Sequence, residues 1–438
     1  MGLLFEKMTE LSQLYELYLN SSGVTTDSRS VREGEIFFAL RGPNFDGNRY
    51  AAAAIGAGAM AAVVDDRTFT EDRYFVVDDV LSTLAALANY HRRRLNVPVI
   101  GVTGSNGKTT TRELITAVLS RKKKAHSTAG NLNNHIGVPL TLLGTPDDAG
   151  FVVVEMGANH KGEIDALCEI AMPTHGIITN IGIAHIEGFG SLEDVKKAKS
   201  ELYRWLGRTN GIAIYNDDNP VLKDIIVLAG EAVAYSSPAD KRLRAVPAQN
   251  GGLFLEVNAT IDDRRYSFAT SLFGSYNIDN VRAAMATGLL FDVAEDDIID
   301  AISSFRPANN RSQVVDTGKN IVICDAYNAN PASMQKTIAS FADLRGAKKM
   351  VILGDMLELG SESDAGHASV IEQLENVSGV VIVLAGPNFM KAAVNTQAHC
   401  FNSSVEIADW LRSVKPVGYD ILVKGSRGMM MEKVYPLL

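Results

Sequence analysis

Gly101-Val102-Thr103-Gly104-Ser105-Asn106-Gly107-Lys108-Thr109-Thr110 follows the apolar run Val97-Pro98-Val99-Ile100 and precedes Leu114, Ile115, Val118 and Leu119 at helical spacing. The pattern predicts a strand, a glycine-rich turn and a helix N-terminus in direct succession. Such a turn cradles phosphate, because glycines without Cβ let backbone N–H groups converge and the helix end adds partial positive charge. Gly104, Ser105, Asn106, Gly107 and Thr110 would line the phosphates, Lys108 would reach the β/γ end, and the Thr109 hydroxyl would ligate Mg²⁺. Val102 stands where the standard G-x-x-x-x-G-K-[ST] pattern has its first glycine, leaving the tighter variant T-G-x-x-G-K-T-T. The competing reading is a strand-to-helix turn with a surface lysine. Strand, turn, Lys-Thr and helix all occur in order, which favours a nucleoside triphosphate site.

A chain of 438 residues exceeds one core and predicts several domains. Its net charge of −9 argues against a nucleic-acid footprint, so anionic substrates must be met by local cations. Cys168, Cys324 and Cys400 are far apart and lack metal spacing, which reads as reduced thiols in a cytoplasmic protein. The N-terminal apolar stretch is short and meets charge early, unlike a signal peptide. The run from Ala51 to Val64 is too short for a membrane span and is broken by Gly56 and Gly58, so no membrane insertion is expected.

Three α/β units are expected. Residues 1–96 form a small unit with strands at Glu35–Leu40, Ala61–Val64 and Tyr74–Val77; its last helix ends in His91-Arg92-Arg93-Arg94, read as a solvated, cation-favouring C-terminus. Residues 97–308 hold the phosphate loop and the apolar strands Phe151–Glu155 and Gly176–Asn180, as in a parallel sheet of the P-loop ATPase type. Residues 309–438 alternate strands and helices regularly, as in a Rossmann-like doubly wound domain. Glu155 ends its strand, where it could hold Mg²⁺ directly or through water. His185 follows the next strand end, and Lys196-Lys197-Ala198-Lys199 is expected to open a helix. Taken alone, His185 reads more readily as a capping or core histidine, and Lys199 as one of three surface lysines.

At this point the chain resembles the Mur ligases over essentially its whole length. Thr103–Thr110 matches the family's phosphate loop, and Gly130-Asn131-Leu132-Asn133-Asn134-His135-Ile136-Gly137-Val138-Pro139 looks like its substrate loop. Gly274-Ser275-Tyr276-Asn277-Ile278-Asp279-Asn280 resembles the stretch near adenine. Asp325-Ala326-Tyr327-Asn328-Ala329-Asn330-Pro331 and Leu353-Gly354-Asp355-Met356-Leu357-Glu358-Leu359-Gly360 resemble the dipeptide-adding branch, whereas the Asp-Asn-Pro-Arg motif of the diaminopimelate-adding branch is absent.

The resemblance implies an ATP-dependent ligase that joins D-alanyl-D-alanine to UDP-N-acetylmuramoyl-tripeptide through an acyl phosphate. It implies two Mg²⁺ sites, one at Thr109 and the phosphates, the other at Glu155, His185 and Lys199. A protonated lysine cannot ligate Mg²⁺, so Lys199 would serve as its carbamate, N6-carboxylysine. Arg311 would reach the phosphates and Asp325 the ribose, the latter's alternative being a helix-leading loop carboxylate. Asn277 and Asn280 would lie near adenine, Asn277 being nearly as natural as a turn residue.

Ser28 and Arg29 would meet the uridine diphosphate, with a turn holding an internal Asp–Arg pair as the equal alternative. Asn131, Asn133 and Asn134 would face the tripeptide. Tyr327, Asn328 and Asn330, with Lys424-Gly425-Ser426-Arg427, would face the dipeptide. A monomer with pivots near Val97 and Pro307 is expected. The rivals are a sibling ligase adding another amino acid, a folylpolyglutamate-type ligase, and a nucleotide-dependent binding switch.

Overall fold

The computed structural model describes residues 2–182, 186–235, 242–248, 251–308, 310–346 and 348–438. Its strands gather into α/β layers in chain order. The first sheet is parallel and four-stranded, in the order Val24–Thr25, Ile36–Phe38, Ala61–Val64, Tyr74–Val76. The second is parallel and six-stranded: Glu231–Ala234, Ile212–Tyr215, His175–Ile178, Val99–Thr103, Phe151–Glu155, Ala125–Ser127. Val99–Thr103 and Phe151–Glu155 are buried along their whole length, as strands covered by helices on both faces must be.

The last sheet orders Gln313–Asp316, Ile321–Asp325, Tyr419–Lys424, Lys348–Gly354, Val380–Ala385 and His399–Phe401; only the first of these runs antiparallel. Between the two large sheets in chain order comes an antiparallel three-stranded sheet, Leu243–Pro247, Phe254–Ile261 and Arg264–Phe273. Phe254–Ile261 alternates exposed and buried residues, and its hairpin with Arg264–Phe273 turns at Asp262 and Asp263, both at positive φ.

Two expectations are corrected here. The end of helix Val80–Arg92 is only half solvated: Arg93 and Arg94 are exposed, but His91 and Arg92 are buried, and Arg92 donates to the carbonyls of Ala171, Met172 and Leu95. It thereby caps the helix Glu163–Ala171 of the central sheet layer. The lysines at 196–199 close a helix, Leu192–Lys199, instead of opening one. The start signal lies upstream at Ser191, whose hydroxyl accepts from the Asp194 N–H.

One hydrophobic core runs from Leu14, Ile36 and Leu84 into Val152, Val154 and Leu167. The pivot expected near Val97 therefore sits beside a continuous packed layer. Among the described residues, no helix is long and apolar enough to cross a membrane.

Candidate active site

The strand Val99–Thr103 delivers the glycine-rich turn, and the helix Lys108–Leu119 starts directly behind it. Gly104 (φ +143°) and Gly107 (φ +80°) adopt conformations that favour glycine; a Cβ would lie 2.0 Å from Thr179 Oγ1 at the first and 2.6 Å from Asn280 Oδ1 at the second. The end of the neighbouring strand pins the turn from outside. The Ser105 N–H donates to the Asn180 carbonyl (2.9 Å), the Asn106 N–H donates to Asn180 Oδ1 (3.0 Å), and the Thr179 hydroxyl donates to the Asn106 carbonyl (2.6 Å).

Lys108 folds back over the turn, its Nζ donating to the Gly104 carbonyl at 2.7 Å. Burial pushes its ammonium below the usual lysine range; Glu155 pulls against that shift and Arg311 adds to it.

Glu155 is the hub on the adjacent strand end and is 1% exposed. Its Oε2 accepts from the Thr109 hydroxyl at 2.8 Å, and its Oε1 accepts from Asn133 Nδ2 at 2.8 Å. Arg112 approaches Oε2 at 3.6 Å while donating to the Gly130 carbonyl and to Glu113. The phosphate turn, the strand end and the loop 130–134 thus share one carboxylate.

Two buried oxygen donors 2.8 Å apart suit Mg²⁺. Among the described residues no group of three or more His, Cys, Asp or Glu is placed to hold a metal. Remaining ligands would have to be phosphate, water or a modified side chain, as is usual for Mg²⁺ beside phosphates. Lys199 is 2% exposed, donates to the Ala158 carbonyl (3.3 Å) and lies 5.3 Å from the centre of the Phe189 ring. Burial first, and the Lys108 charge second, lower its pKa to about 7.

The last sheet closes the site from the other side. Asn330 Nδ2 donates to Asn106 Oδ1 at 2.7 Å, joining residues 224 positions apart. Arg311 stacks on the Tyr327 ring at 3.5 Å. Asp325 accepts from Lys424 Nζ (2.6 Å) and from the Ser312 N–H (3.1 Å). Between these walls lies a cavity of about 550 Å³.

Ser105, Asn106, Gly107, Lys108, Thr110, Asn133, Asn134 and Glu155 line the cavity from the central sheet, together with Asn277 and Asn280. Arg311, Asp325, Tyr327, Asn328 and Asn330 line it from the last. Gly104, Thr109 and Lys199 do not line it. The amide of Asn277 is engaged inside its own turn, donating to the Phe273 carbonyl and accepting from Asn280. Asn131 is exposed outside the cavity.

Ser28 and Arg29 also lie outside it, and Arg29 pairs with Asp27 at 2.8 Å, as the turn alternative anticipates. That pair holds the Asp27 carboxyl down at about 2. His185 lies outside the described residues.

The site also draws on residues given no role from the sequence, among them Arg112 beside Glu155 and Asn180, Tyr276 and Lys336 in the cavity wall. Arg112 was legible, since it follows Lys108 by one helical turn and therefore shares its face. Asn180 and Tyr276 stand inside the stretches 176–180 and 274–280 singled out above, without a role of their own there, and Lys336 carries no local signal.

Comparison with known proteins gives a consistent result. The Mur ligase family catalytic domain matches residues 20–107, the Mur ligase middle domain matches 102–288, and the Mur ligase glutamate ligase domain matches 310–427. A UDP-N-acetylmuramoyl-tripeptide–D-alanyl-D-alanine ligase of Bacillus subtilis (strain 168) is 35% identical over 425 residues, covering 94% of this chain and 92% of that protein. The crystal structure of MurF from Acinetobacter baumannii superposes with a TM-score of 0.85 at 30% identity, covering 96% of this chain and 97% of that one. MurF ligase from Thermotoga maritima, solved in complex with ADP, gives a TM-score of 0.85 at 27% identity with the same coverage.

Proposed function

The chain belongs to the Mur ligase family, and we propose that it joins D-alanyl-D-alanine to UDP-N-acetylmuramoyl-tripeptide, with ATP cleaved to ADP and phosphate, in peptidoglycan precursor synthesis. One observation supports this above the rest. The phosphate turn, Glu155 and the 325–330 segment border a single cavity, tied across by Asn330 and Asn106.

A carboxylate acylates poorly because its oxygen is a poor leaving group. Transfer of the ATP γ-phosphoryl group to the terminal carboxylate of the tripeptide gives an acyl phosphate. The dipeptide amine then adds to that carbonyl, loses a proton, and phosphate departs. Charge gathers on the transferring phosphoryl, so fixed cations in a dry cleft lower the barrier. In this chain those are Lys108 and Arg311, with the backbone of 104–107 and the Thr110 end of the turn. Bound Mg²⁺ would be held by Thr109 and Glu155 and would neutralise phosphate charge.

A second Mg²⁺ site is assigned to Glu155, His185 and the carbamate of Lys199. An amine with a pKa of about 7 is largely neutral just above neutrality, which is the form that takes up CO₂. Asn280 and Asp325 would frame the adenosine, with Asn277 acting through Asn280.

We assign the UDP end of the tripeptide to Ser28 and Arg29 in unit 1–96. Asn131, Asn133 and Asn134 would meet the peptide in unit 97–308. Tyr327, Asn328 and Asn330 would meet the dipeptide in unit 309–438, which excludes water from the acyl phosphate. We propose that the chain acts as a monomer. The use of ATP supports a cytoplasmic reaction.

The test is phosphate release from Mg·ATP with UDP-N-acetylmuramoyl-tripeptide, with and without D-alanyl-D-alanine. Release that requires both acceptors, accompanied by a pentapeptide product in the mass spectrum, is expected. Release indifferent to the dipeptide removes the ligase and leaves a nucleotide switch.

A further inference from the structure

We propose that Glu163 recognises a side-chain ammonium on the last residue of the tripeptide, so that the phosphoryl-accepting substrate must end in a diamino acid. The proposal rests on the ligase reading and deepens it, by naming the charge that the site demands of its acceptor.

The cavity must hold phosphates and carboxylates, yet Glu155, Glu163, Asp279 and Asp325 all line it. Three of these are neutralised from within the chain. Glu155 lies 3.6 Å from Arg112, Asp279 lies 3.2 Å from Arg282, and Asp325 lies 2.6 Å from Lys424. Glu163 has no lysine or arginine partner among the described residues; its neighbour of opposite type is the exposed His160, at 3.4 Å. A carboxylate left over in an anion-binding cavity calls for a cation from the ligand.

Local backbone fixes where that carboxylate stands. Glu163 opens the helix Glu163–Ala171, and its Oε2 accepts from the N–H groups of Asn159 (2.7 Å) and His160 (3.0 Å). Partial burial pushes the carboxyl up, but those N–H bonds outweigh it and hold the group below the usual range, so it is ionised. A role confined to locking this turn would account for the N–H bonds but not for a side chain that is 44% exposed in the cavity wall. A carboxylate has lone pairs beyond those two bonds, and Oε1 can take a further donor.

The peptide group between Ala158 and Asn159 connects Glu163 to the reacting end. Its carbonyl accepts from Lys199 Nζ at 3.3 Å, and its N–H is one of the two that Glu163 holds. With the tripeptide's terminal carboxylate beside Lys199 and Glu155, Glu163 stands one peptide group and two hydrogen bonds away, within reach of a flexible four-carbon stem. Ala166, Leu167 and Ile170 follow Glu163 on the same helix face and also line the cavity. A diamino acid carries both matching parts, an aliphatic stem for the apolar stripe and an ammonium for the carboxylate.

The other amine of the reaction belongs to the dipeptide, which is assigned to the opposite wall at 327–330. Glu163 lies on the same strand-to-helix connection as Glu155 and Ala158, which favours the acceptor as its ligand. A base acting on the dipeptide amine would speed every tripeptide alike, and that difference is measurable.

The test measures kcat/KM for UDP-N-acetylmuramoyl-tripeptides in two matched pairs, ending in lysine or norleucine and in diaminopimelate or 2-aminopimelate. Each pair differs by one side-chain amino group. The wild type is compared with Glu163→Gln and Glu163→Asp, scoring the pair that the wild type turns over faster. The wild type is expected to favour the amino member by about 10- to 100-fold, the range for a hydrogen bond to a charged group. Glu163→Gln keeps an oxygen for the two N–H groups and removes the charge, so it should bring the amino member down to the level of its partner, mainly through KM. Glu163→Asp should keep part of the preference. Turnover of the deaminated tripeptide in each variant shows that the protein is folded.

A wild type indifferent to the amino group overturns the proposal, as does a Glu163→Gln enzyme that retains the preference. A loss that falls equally on both members of the pair also overturns it, and leaves Glu163 as a base or a turn lock. Wild-type phosphate release that ignores the dipeptide sinks the ligase reading instead, which is a separate result.

Discussion

Lys199 shows how far burial alone can change what a residue does. Its ammonium is removed from water and sits within the field of Lys108, so its pKa falls to about 7. Above that pH the neutral amine, having lost its ammonium proton, can attack CO₂: an N–C bond forms, a second proton leaves the nitrogen, and the neutral amine becomes an anionic carbamate. At constant dissolved CO₂, turnover should rise with pH through about 7, and ¹³CO₂ should give a carbamate signal by NMR that Lys199→Met lacks. Turnover flat across that window, with Lys199→Met fully active, would refute the carbamate.

The sign for stability follows from the same shift. The unfolded lysine titrates near 10.4, so between about 7 and 10 the unfolded chain holds the extra proton and the contribution of this group rises with pH. Denaturation midpoints at pH 7.5 and 9.5 should show that slope, diminished in Lys199→Met. In the sequence Lys199 is one of three lysines in four positions; only packing singles it out.

Elements reveal a second kind of hidden assignment. The run His91-Arg92-Arg93-Arg94 looks like a solvated helix end, yet Arg92 is 7% exposed and serves three backbone carbonyls, two of them at the end of Glu163–Ala171. Those carbonyls have no partner within their own helix. Arg92→Met keeps the aliphatic stem and removes every donor, so it should cost about 2–3 kcal/mol, read as a lower guanidinium midpoint. A change below about 0.5 kcal/mol would return this helix end to the solvated class. Helix starts were more legible: Asn330 before Pro331 is a capping asparagine followed by proline, and the structure builds a capping box there with Ser333. The antiparallel sheet at 243–273 was not anticipated: only Phe254–Ile261 alternates cleanly, and the segment carries no chemistry that would draw notice.

At the scale of the whole molecule, one side chain connects the last sheet to the phosphate turn. Asn330 uses Oδ1 to cap its helix and Nδ2 to hold Asn106. Asn330→Ser keeps a capping hydroxyl but loses the reach, which separates the two roles. Thermal stability should stay within about 0.5 kcal/mol, while KM for ATP rises several-fold because closure loses its strut. A melting point lowered with KM intact would mean that the residue only caps. Taken alone, the sequence determined the order of α/β units, the phosphate turn and the acidic strand end, because each is written in contiguous residues whose periodicity and backbone needs are local. The tertiary structure alone decided that Arg112 and Asn133 share Glu155, that Arg92 is buried, and that Tyr327 lies between two guanidiniums. Those pairings depend on which strand ends adjoin in space, and burial, which sets the charges, exists only once the layers have packed.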